Sequence, residues 1–347
     1  MPQPAGSESS TLAIDEVALG RYLAAKLPGL DPELTVQRFT GGQSNPTYLV
    51  TSGTRQLVLR KKPPGVLLKT AHSIDREHRI FAALFGSEVP VPEPYSYCDD
   101  TSVIGTEFFV MQYVQGRIFW DSTLPGMSAP ERAALYSEMN RVLAALHRLD
   151  YVARGLGDYG KPGNYFARQI RRWTEQYQAA KTDELEAMER LCEWLPANVP
   201  DEDEQTCLVH GDFRLDNMIF HPHEPRVLAV LDWELSTLGH PLADLAYNCM
   251  PYHSTFRAAV PLSEVAGPST GIPTERVYVE QYCQRVGRDE APDLRFHLAF
   301  SFFRSASITQ GVYRRGLQGN ASSAEDAPKM RDRAVQAASI GWRIASA

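Results

Sequence analysis

The stretch that decides the fold of this chain spans residues 208–217 and reads Leu-Val-His-Gly-Asp-Phe-Arg-Leu-Asp-Asn. Its first two residues predict a short buried strand that leads into a polar loop. Within the loop, Asp212 and Asn217 are separated by four residues. A further aspartate, Asp232, lies 20 positions beyond Asp212 and follows the apolar run Val-Leu-Ala-Val-Leu. Such a run, bounded by turn residues, is typical of a fully buried strand.

The residues between the loop and Asp232 predict a hairpin. Residues 218–220 read as a strand, and 221–226 contain two prolines and read as a turn before the apolar run. The hairpin brings Asp232 back beside Asn217. Magnesium prefers oxygen ligands and typically takes one or two carboxylates plus substrate phosphates. Asn217 and Asp232 are therefore candidate Mg²⁺ ligands and Asp212 is a candidate general base, an order that phosphoryl transfer uses.

Other interpretations of these polar residues remain open. An Asp and an Asn five positions apart often serve only as turn or loop caps. His210 could be a metal ligand or a base, but we expect its ring to bond the loop backbone. His221 and His223 flank a proline and could form part of a zinc site. Two ligands cannot complete a tetrahedral site, so we expect both rings to be solvated.

These residues resemble the aminoglycoside-phosphotransferase-like kinases, a small-molecule branch of the protein-kinase-like fold. The likeness extends from about Gly41 to Gly316, and a narrower likeness is to the kinase domain fused to, or encoded beside, acyl-CoA dehydrogenases. The broad likeness rests on His-Gly-Asp at 210–212, Asn217, Asp-Trp-Glu at 232–234 and Leu-Gly-His-Pro-Leu-Ala-Asp-Leu-Ala at 238–246. The narrower one rests on Gly-Gln-Ser-Asn-Pro-Thr-Tyr at 42–48, Leu-Val-Leu-Arg-Lys-Lys-Pro-Pro-Gly at 57–65 and Gln-Gly-Val-Tyr-Arg-Arg at 310–315.

The resemblance implies an α+β, two-lobe protein-kinase-like fold with a small antiparallel-sheet N-lobe and a mostly helical C-lobe. It implies ATP and Mg²⁺ as cofactors and transfer of the γ-phosphoryl group to a hydroxyl of a small molecule. Asp212 would be the base, and Asn217 and Asp232 would hold the metal. The narrower likeness implies a hydroxyacyl-CoA acceptor and a functional link to an acyl-CoA dehydrogenase.

Rival functions also stay open. The acceptor could be an aminoglycoside, a choline-like amino alcohol or a sugar, and the chain could be a pseudokinase that binds nucleotide without chemistry. A Ser-His-Asp hydrolase is poorly supported because no Gly-x-Ser-x-Gly elbow occurs.

Departures from the protein-kinase pattern bear on the substrate. Gly211 replaces the Arg of His-Arg-Asp, Glu234 replaces the Gly of Asp-Phe-Gly, and no Ala-Pro-Glu follows. These changes indicate a small-molecule substrate rather than a protein.

The N-terminal half supplies candidate nucleotide contacts. Gln43, Ser44 and Asn45 follow two glycines in a loop that could cradle phosphate oxygens, although two glycines often form only a turn. By resemblance, Arg60 is the phosphate-binding cation and Glu77 is its helix partner. Lys62 is the alternative cation, since alternation along the strand places it on the same face as Arg60.

The resemblance also places an adenine-binding hinge at 111–114, with Gln112 and Val114 as contacts. In the C-terminal half, clustered arginines suit phosphate recognition, although any one of them could lie on a solvated helix face. These arginines are Arg168, Arg171, Arg172, Arg304, Arg314 and Arg315.

Two lobes are expected in a chain of 347 residues, with boundaries at 1–115 and 116–347 and a disordered segment at 1–11. Strands are expected at 34–39, 47–50, 57–61 and 107–114, and an extended linker at 90–94. Helices are expected at 14–27, 74–85, 129–148, 165–180, 182–195, 275–286 and 294–313.

Composition excludes several classes of protein. The net charge of −7 disfavours general binding to nucleic acid or to an anionic membrane. Five cysteines without a Cys-x-x-Cys pair indicate free thiols and a reducing cytoplasm. The sequence predicts neither a signal peptide nor a membrane-spanning segment.

Overall fold

The structure is a computed structural model that describes residues 14–39, 45–63, 73–200, 205–318 and 327–347. It contains two compact units. The first unit comprises the chain up to residue 118 together with 216–234, and the second comprises 119–215 and 235–347. The expected lobe boundary at 115/116 does not anticipate that 216–234 groups with the first unit. The expected disorder of 1–11 lies outside the described residues.

The first unit is built on a five-stranded antiparallel sheet with strand order β1-β2-β3-β5-β4. Leu57 and Leu59 of the central strand are fully buried and pack with Leu19 and Leu23 of the first helix. The elements are α1 Glu16–Lys26, β1 Thr35–Arg38, β2 Thr47–Ser52, β3 Arg55–Lys61, α2 Ile74–Leu84, β4 Pro94–Cys98 and β5 Phe108–Gln112.

Strand β4 was not predicted from the sequence, which indicated only an extended linker at 90–94. Prolines at 90, 92 and 94 conceal the strand signal. Because β4 lies at the edge of the sheet, a proline at its first position removes no obligatory ladder hydrogen bond.

A hairpin of β7 Met218–Phe220 and β8 Val227–Val230 completes the first unit. Ile219 and Ala229 of the hairpin pack against Val114. The backbone of Arg117 exchanges two hydrogen bonds of 2.8 Å with that of Phe220. These contacts explain why 216–234 belongs with the N-terminal sheet although it lies far along the chain.

The second unit is mostly helical, with a two-stranded antiparallel sheet of β6 Cys207–Val209 and β9 Thr237–Gly239. The long helix α9 is buried over much of its length and packs against α4, α6 and α10. Within the described ranges, every helix is too short or too polar to span a bilayer. The helices are α3 Ala129–Arg148, α4 Tyr165–Ala180, α5 Glu186–Ala197, α6 Pro241–Cys249, α7 Leu262–Val265, α8 Glu275–Val286, α9 Arg295–Leu317 and α10 Ala327–Ser346.

The predicted helices are confirmed, with ends that differ by a few residues in α1, α5 and α9. The sequence did not predict α6, α7, α10 or β9. Helix α10 buries mainly small residues, Ala334, Ala338 and Ala345, so its apolar face gives a weak periodic signal. All five cysteines are free, as expected.

Candidate active site

The loop after β6 is held by a buried aspartate of α6. Asp244 is almost fully buried, and its two carboxylate oxygens accept the backbone N–H groups of His210 at 2.6 Å and Gly211 at 2.8 Å. The Nδ1 atom of His210 accepts the N–H of Asp212 at 3.1 Å. The expectation that the His210 ring bonds loop backbone is therefore confirmed. Burial raises the pKa of Asp244. The hydrogen bond and charge of His147, together with His210, lower it by more, so the net shift is downward.

Gly211 adopts a conformation that other residues rarely adopt, with φ of 83°. A Cβ atom at this position would also lie 2.8 Å from the carbonyl oxygen of Leu235. The glycine that replaces the protein-kinase arginine is therefore required locally by the turn that presents Asp212.

Asp212 lies directly after this turn, and two side chains hold its carboxylate. The hydroxyl of Tyr247 donates to Oδ1, and a guanidinium nitrogen of Arg214 lies 3.0 Å from Oδ2. Burial raises the pKa of Tyr247, and the charge of Asp212 raises it further, so the phenol remains a hydrogen-bond donor. A carboxylate fixed at both oxygens is suited to receive a proton from one direction.

Arg304 of α9 supports the same turn from beneath. Its Nη2 donates to the carbonyl oxygen of Gly211 at 2.6 Å. Its guanidinium carbon lies 5.6 Å from the ring centroid of Tyr247 and 5.6 Å from that of Trp173. One arginine therefore contacts both the turn and the tyrosine that bind Asp212.

The first unit contains a separate cluster of charged residues around Arg60 of β3. Its Nη1 lies 2.9 Å from Oε1 of Glu77 on α2, so the structure forms the predicted ion pair. Its Nη2 lies 3.4 Å from Oδ1 of Asp232. Lys62, the alternative cation, instead lies 3.4 Å from a carboxylate oxygen of Glu107.

Glu77 has an unusual environment for a carboxylate. Burial raises its pKa to about 7, against the lowering effect of Arg60, while Asp232 and Glu234 raise it further. Burial lowers the pKa of Arg60, but Glu77 and Asp232 more than offset this, so the guanidinium stays charged. The cluster thus combines one cation with three acidic side chains and favours additional positive charge.

Asp232 follows β8 with φ of 65°, a conformation that is uncommon outside glycine. Trp233 beside it is fully buried, and its indole N–H donates to the carbonyl oxygen of Val230 at 3.0 Å. The N–H of Leu231 donates to the carbonyl oxygen of Asn217 at 2.8 Å, as the predicted hairpin requires. Non-glycine residues held in such conformations concentrate at functional sites.

Asn217 and Asp232 offer hard oxygen atoms, the donor chemistry that Mg²⁺ takes when substrate phosphates complete its coordination. Both belong to the first unit, whereas Asp212 belongs to the second. Their roles as metal ligands and base remain predictions from the sequence.

The remaining predicted nucleotide contacts differ in what the structure shows. Gln43 and Ser44 lie outside the described residues, and Asn45 is buried at the edge of that gap. The N–H of Gln112 already donates to the carbonyl oxygen of Glu93 at 2.8 Å. Within the described chain, the backbone of Val114 forms no hydrogen bond. Val114 is therefore the better placed of the two hinge residues to bind an adenine edge.

The expected cluster of C-terminal arginines does not form as a whole. Arg168 donates to the carbonyl oxygens of Gly163 and Lys161, and Arg314 donates to that of Ala179. The possible zinc site at His221 and His223 has no further ligands. No group of three or more His, Cys, Asp or Glu side chains suitable for a metal occurs among the described residues. The Nδ1 atom of His221 instead accepts two backbone N–H groups of its own turn.

The sequence analysis missed Tyr247 and Arg214 as partners of Asp212. Tyr247 lies one residue beyond the quoted motif at 238–246, and its contact with Asp212 joins residues 35 positions apart. Only the helical spacing of Asp244 and Tyr247 could have indicated that both face the same loop.

Comparisons with known proteins give a family match and several similar sequences. The sequence model of a family described as phosphotransferase enzymes matches residues 35–278. The chain is 49% identical over 317 residues to acyl-CoA dehydrogenase family member 10 of Mus musculus, which covers 90% of this chain and 30% of that protein. The chain spans less than half the length of the curated relatives that it matches first.

Solved structures agree with the family match. A Ralstonia eutropha protein, described provisionally as an aminoglycoside phosphotransferase, superposes with a TM-score of 0.86 at 48% identity, covering 96% of this chain and 99% of that one. A thermostable mutant aminoglycoside phosphotransferase in ternary complex with AMP-PNP and hygromycin B superposes with a TM-score of 0.60 at 17% identity, covering 93% and 98%, a likeness of fold alone. The predicted α+β kinase-like fold is confirmed.

Proposed function

The chain belongs to the phosphotransferase enzyme family, and from this premise we propose that it moves the γ-phosphoryl group of ATP to a hydroxyl group of a small molecule. The observation that carries this proposal is the Asp212 carboxylate, fixed by Tyr247 and Arg214 on a turn that Asp244 anchors. Such a carboxylate can accept the proton that an attacking hydroxyl loses.

Each remaining residue has a role that follows from its contacts. Asn217 and Asp232 would hold Mg²⁺, which when bound neutralises charge on the nucleotide phosphates. Arg60, oriented by Glu77, would contact the same phosphates, and Arg–phosphate contacts are strong because both partners are ionised. The backbone of Val114 would form hydrogen bonds with adenine. Asn45, together with Gln43 and Ser44 outside the described residues, would bind phosphate oxygens of the nucleotide.

The acceptor that we propose is a hydroxyacyl-CoA. The support is the 49% identity, over 90% of this chain, to a protein named as an acyl-CoA dehydrogenase family member. We also propose a functional link to an acyl-CoA dehydrogenase and, because all five thiols are free, a reducing cytoplasmic location. An aminoglycoside acceptor is the second candidate, favoured by the description of the 48% identical Ralstonia protein.

Phosphoryl transfer with a panel of acceptors tests the proposal. The full chain is incubated with Mg²⁺-ATP and 3-hydroxybutyryl-CoA, longer hydroxyacyl-CoAs, kanamycin or choline, and the phosphorylated product is measured by mass spectrometry. We expect a phosphorylated hydroxyacyl-CoA with the wild type and almost none with Asp212→Asn. Product from kanamycin or choline alone would overturn the CoA assignment, and no phosphorylated acceptor at all would indicate a nucleotide-binding pseudokinase.

A further inference from the structure

Two guanidinium groups lie over one tryptophan beside the Asp212 turn. Trp173 of α4 is buried, and the guanidinium carbon of Arg172 lies 5.3 Å from its ring centroid. That of Arg304 lies 5.6 Å from the same ring. Arg304 also binds the carbonyl oxygen of Gly211, the residue before Asp212. Two positive charges therefore contact one ring, and one of them also binds the turn that precedes the proposed base.

Neither guanidinium is neutralised by a carboxylate. Among the residues that the structure describes, Arg172 and Arg304 form no ion pair. Arg172 is exposed, whereas Arg304 is only 6% exposed, so the cost of a buried charge concerns Arg304. An isolated buried charge costs several kcal/mol unless it is paired. One hydrogen bond to Gly211 and contacts with two aromatic faces offset only part of this cost, since a cation–π contact contributes about 0.5–2 kcal/mol.

The surrounding groups reinforce this excess of positive charge. Burial lowers the pKa of Arg172, and the neighbouring Arg304 lowers it further, as expected for two close like charges. Burial raises the pKa of Tyr165, on the same helix, to about 12, while the charges of Arg304 and Arg172 act in the opposite direction. Its hydroxyl forms no hydrogen bond within the described chain. The nearest acidic groups are committed elsewhere, Asp212 to Tyr247 and Arg214, and Asp244 to backbone N–H groups.

We propose that Arg172 and Arg304, which both contact Trp173, form a subsite that binds an anionic group of the acceptor, a carboxylate or a phosphate, beside Asp212. This assignment rests on the proposed function, because it identifies part of the acceptor that Asp212 would deprotonate. A purely structural role for Arg304 accounts for its bond to Gly211. It does not account for Arg172, which forms no hydrogen bond in the described chain yet lies over the same ring.

The subsite also separates acceptor classes by charge. A polyamine such as an aminoglycoside would bring positive charge to two unneutralised guanidiniums, whereas an acceptor with a carboxylate or phosphate would neutralise them. Charge-assisted hydrogen bonds contribute about 1.5–3 kcal/mol each. One such bond is therefore sufficient to change affinity by about 10- to 100-fold.

Binding of two anions distinguishes the carboxylate from the phosphate source. Calorimetry of the full chain measures the Kd of free CoA, which carries phosphates, and of 3-hydroxybutyrate, which carries a carboxylate. The variant is Arg172→Gln, and the matched control is Arg171→Gln, which removes the same charge from the neighbouring and equally exposed position of α4. In the described chain Arg171 forms no hydrogen bond, ion pair or ring contact. Arg304→Lys, which keeps the buried charge but loses the planar donor array, is measured alongside.

We expect Arg172→Gln to weaken binding of at least one anion by about tenfold or more, with little change in Arg171→Gln. Weakened CoA binding identifies a phosphate, and weakened 3-hydroxybutyrate binding identifies a carboxylate. Equal affinities of Arg172→Gln and Arg171→Gln for both anions would overturn the subsite. Because binding is measured without ATP, an Arg172-dependent anion site in a chain that phosphorylates no acceptor would instead disprove only the proposed function.

Discussion

The charged residues around Arg60 and those around Asp212 differ in sign. In the first unit one guanidinium lies among Glu77, Asp232 and Glu234, so acidic groups are in excess. In the second unit the carboxylate of Asp212 lies with Arg214, and that of Asp244 accepts backbone N–H groups. Arg172 and Arg304, which form no ion pair in the described chain, contact one ring, and Arg304 also binds the turn before Asp212. The first cluster is therefore suited to receive a cation and the second an anion.

This difference in charge fits the two ligands of a phosphoryl transfer, the metal-bound nucleotide and the acceptor. A nucleotide brings Mg²⁺, and an acidic cluster with hard oxygen donors binds that ion together with the phosphates. An acceptor brings a hydroxyl, and its own charge decides which surface it prefers. The net charge of −7 gives no indication of the basic subsite, because charges beyond about 8 Å are largely screened at physiological ionic strength.

Removing the carboxylate of Asp212 from the second cluster is the largest change expected. Asp212→Asn keeps the shape of the side chain and its hydrogen bond from Tyr247 but removes the proton acceptor. We expect kcat to fall by about 10²- to 10⁴-fold. ATP affinity should be nearly unchanged, as calorimetry would show. Turnover close to that of the wild type would exclude Asp212 as the base.

The acidic excess of the first cluster should make stability depend on pH. The pKa of Glu77 is raised to about 7, so the folded chain holds a proton that the unfolded chain releases near pH 4.5. The corresponding stability is fully present below about pH 4.5 and is lost as pH rises through 7, by a few kcal/mol at most. Urea unfolding at pH 5.5 and pH 8 should show this loss in the wild type.

Glu77→Gln serves as the comparison for that measurement. The amide cannot ionise, so the contribution of this position to the pH dependence should disappear. If the variant and the wild type lose the same free energy of unfolding between the two pH values, Glu77 does not titrate as its environment indicates.

The metal-binding assignment is tested on the same cluster. Asp232→Ala and Asn217→Ala should each weaken Mg²⁺-dependent ATP binding by about 10- to 100-fold, the effect of losing one contact to a charged group. Excess Mg²⁺ should partly rescue Asn217→Ala, because Asp232 remains. ATP titrations at several Mg²⁺ concentrations measure this, and an unchanged metal dependence in both variants would place the cation elsewhere.

The sequence predicted the first cluster better than the second. The resemblance predicted the ion pair of Arg60 with Glu77, and the apolar run with its turn residues predicted the hairpin before Asp232. The structure forms both. Tyr247 of α6, which binds Asp212, and Arg304 of α9, which binds the carbonyl oxygen of Gly211, lie 35 and 92 positions beyond Asp212. Short-range patterns cannot show which faces of two helices meet at one loop. The edge strand β4 and the alanine-rich α10 were missed for the related reason that their local signals are weak.

Tyr247 contacts both the proposed base, Asp212, and the guanidinium of Arg304, so its substitution tests the second cluster in two ways. Tyr247→Phe keeps the ring under Arg304 and removes only the hydroxyl that donates to Asp212. A hydrogen bond to a charged group contributes about 1.5–3 kcal/mol, which corresponds to roughly a 10- to 150-fold decrease in kcat if the full bond orients the carboxylate in the transition state. Because Tyr247 acts through Asp212, KM for ATP should not change.

Tyr247→Leu, which also removes the aromatic face, should in addition weaken binding of CoA or 3-hydroxybutyrate at Arg304. If the Phe and Leu variants lose the same anion affinity, the ring does not support the guanidinium. If kcat of Tyr247→Phe equals that of the wild type, Arg214 alone is sufficient to orient the base.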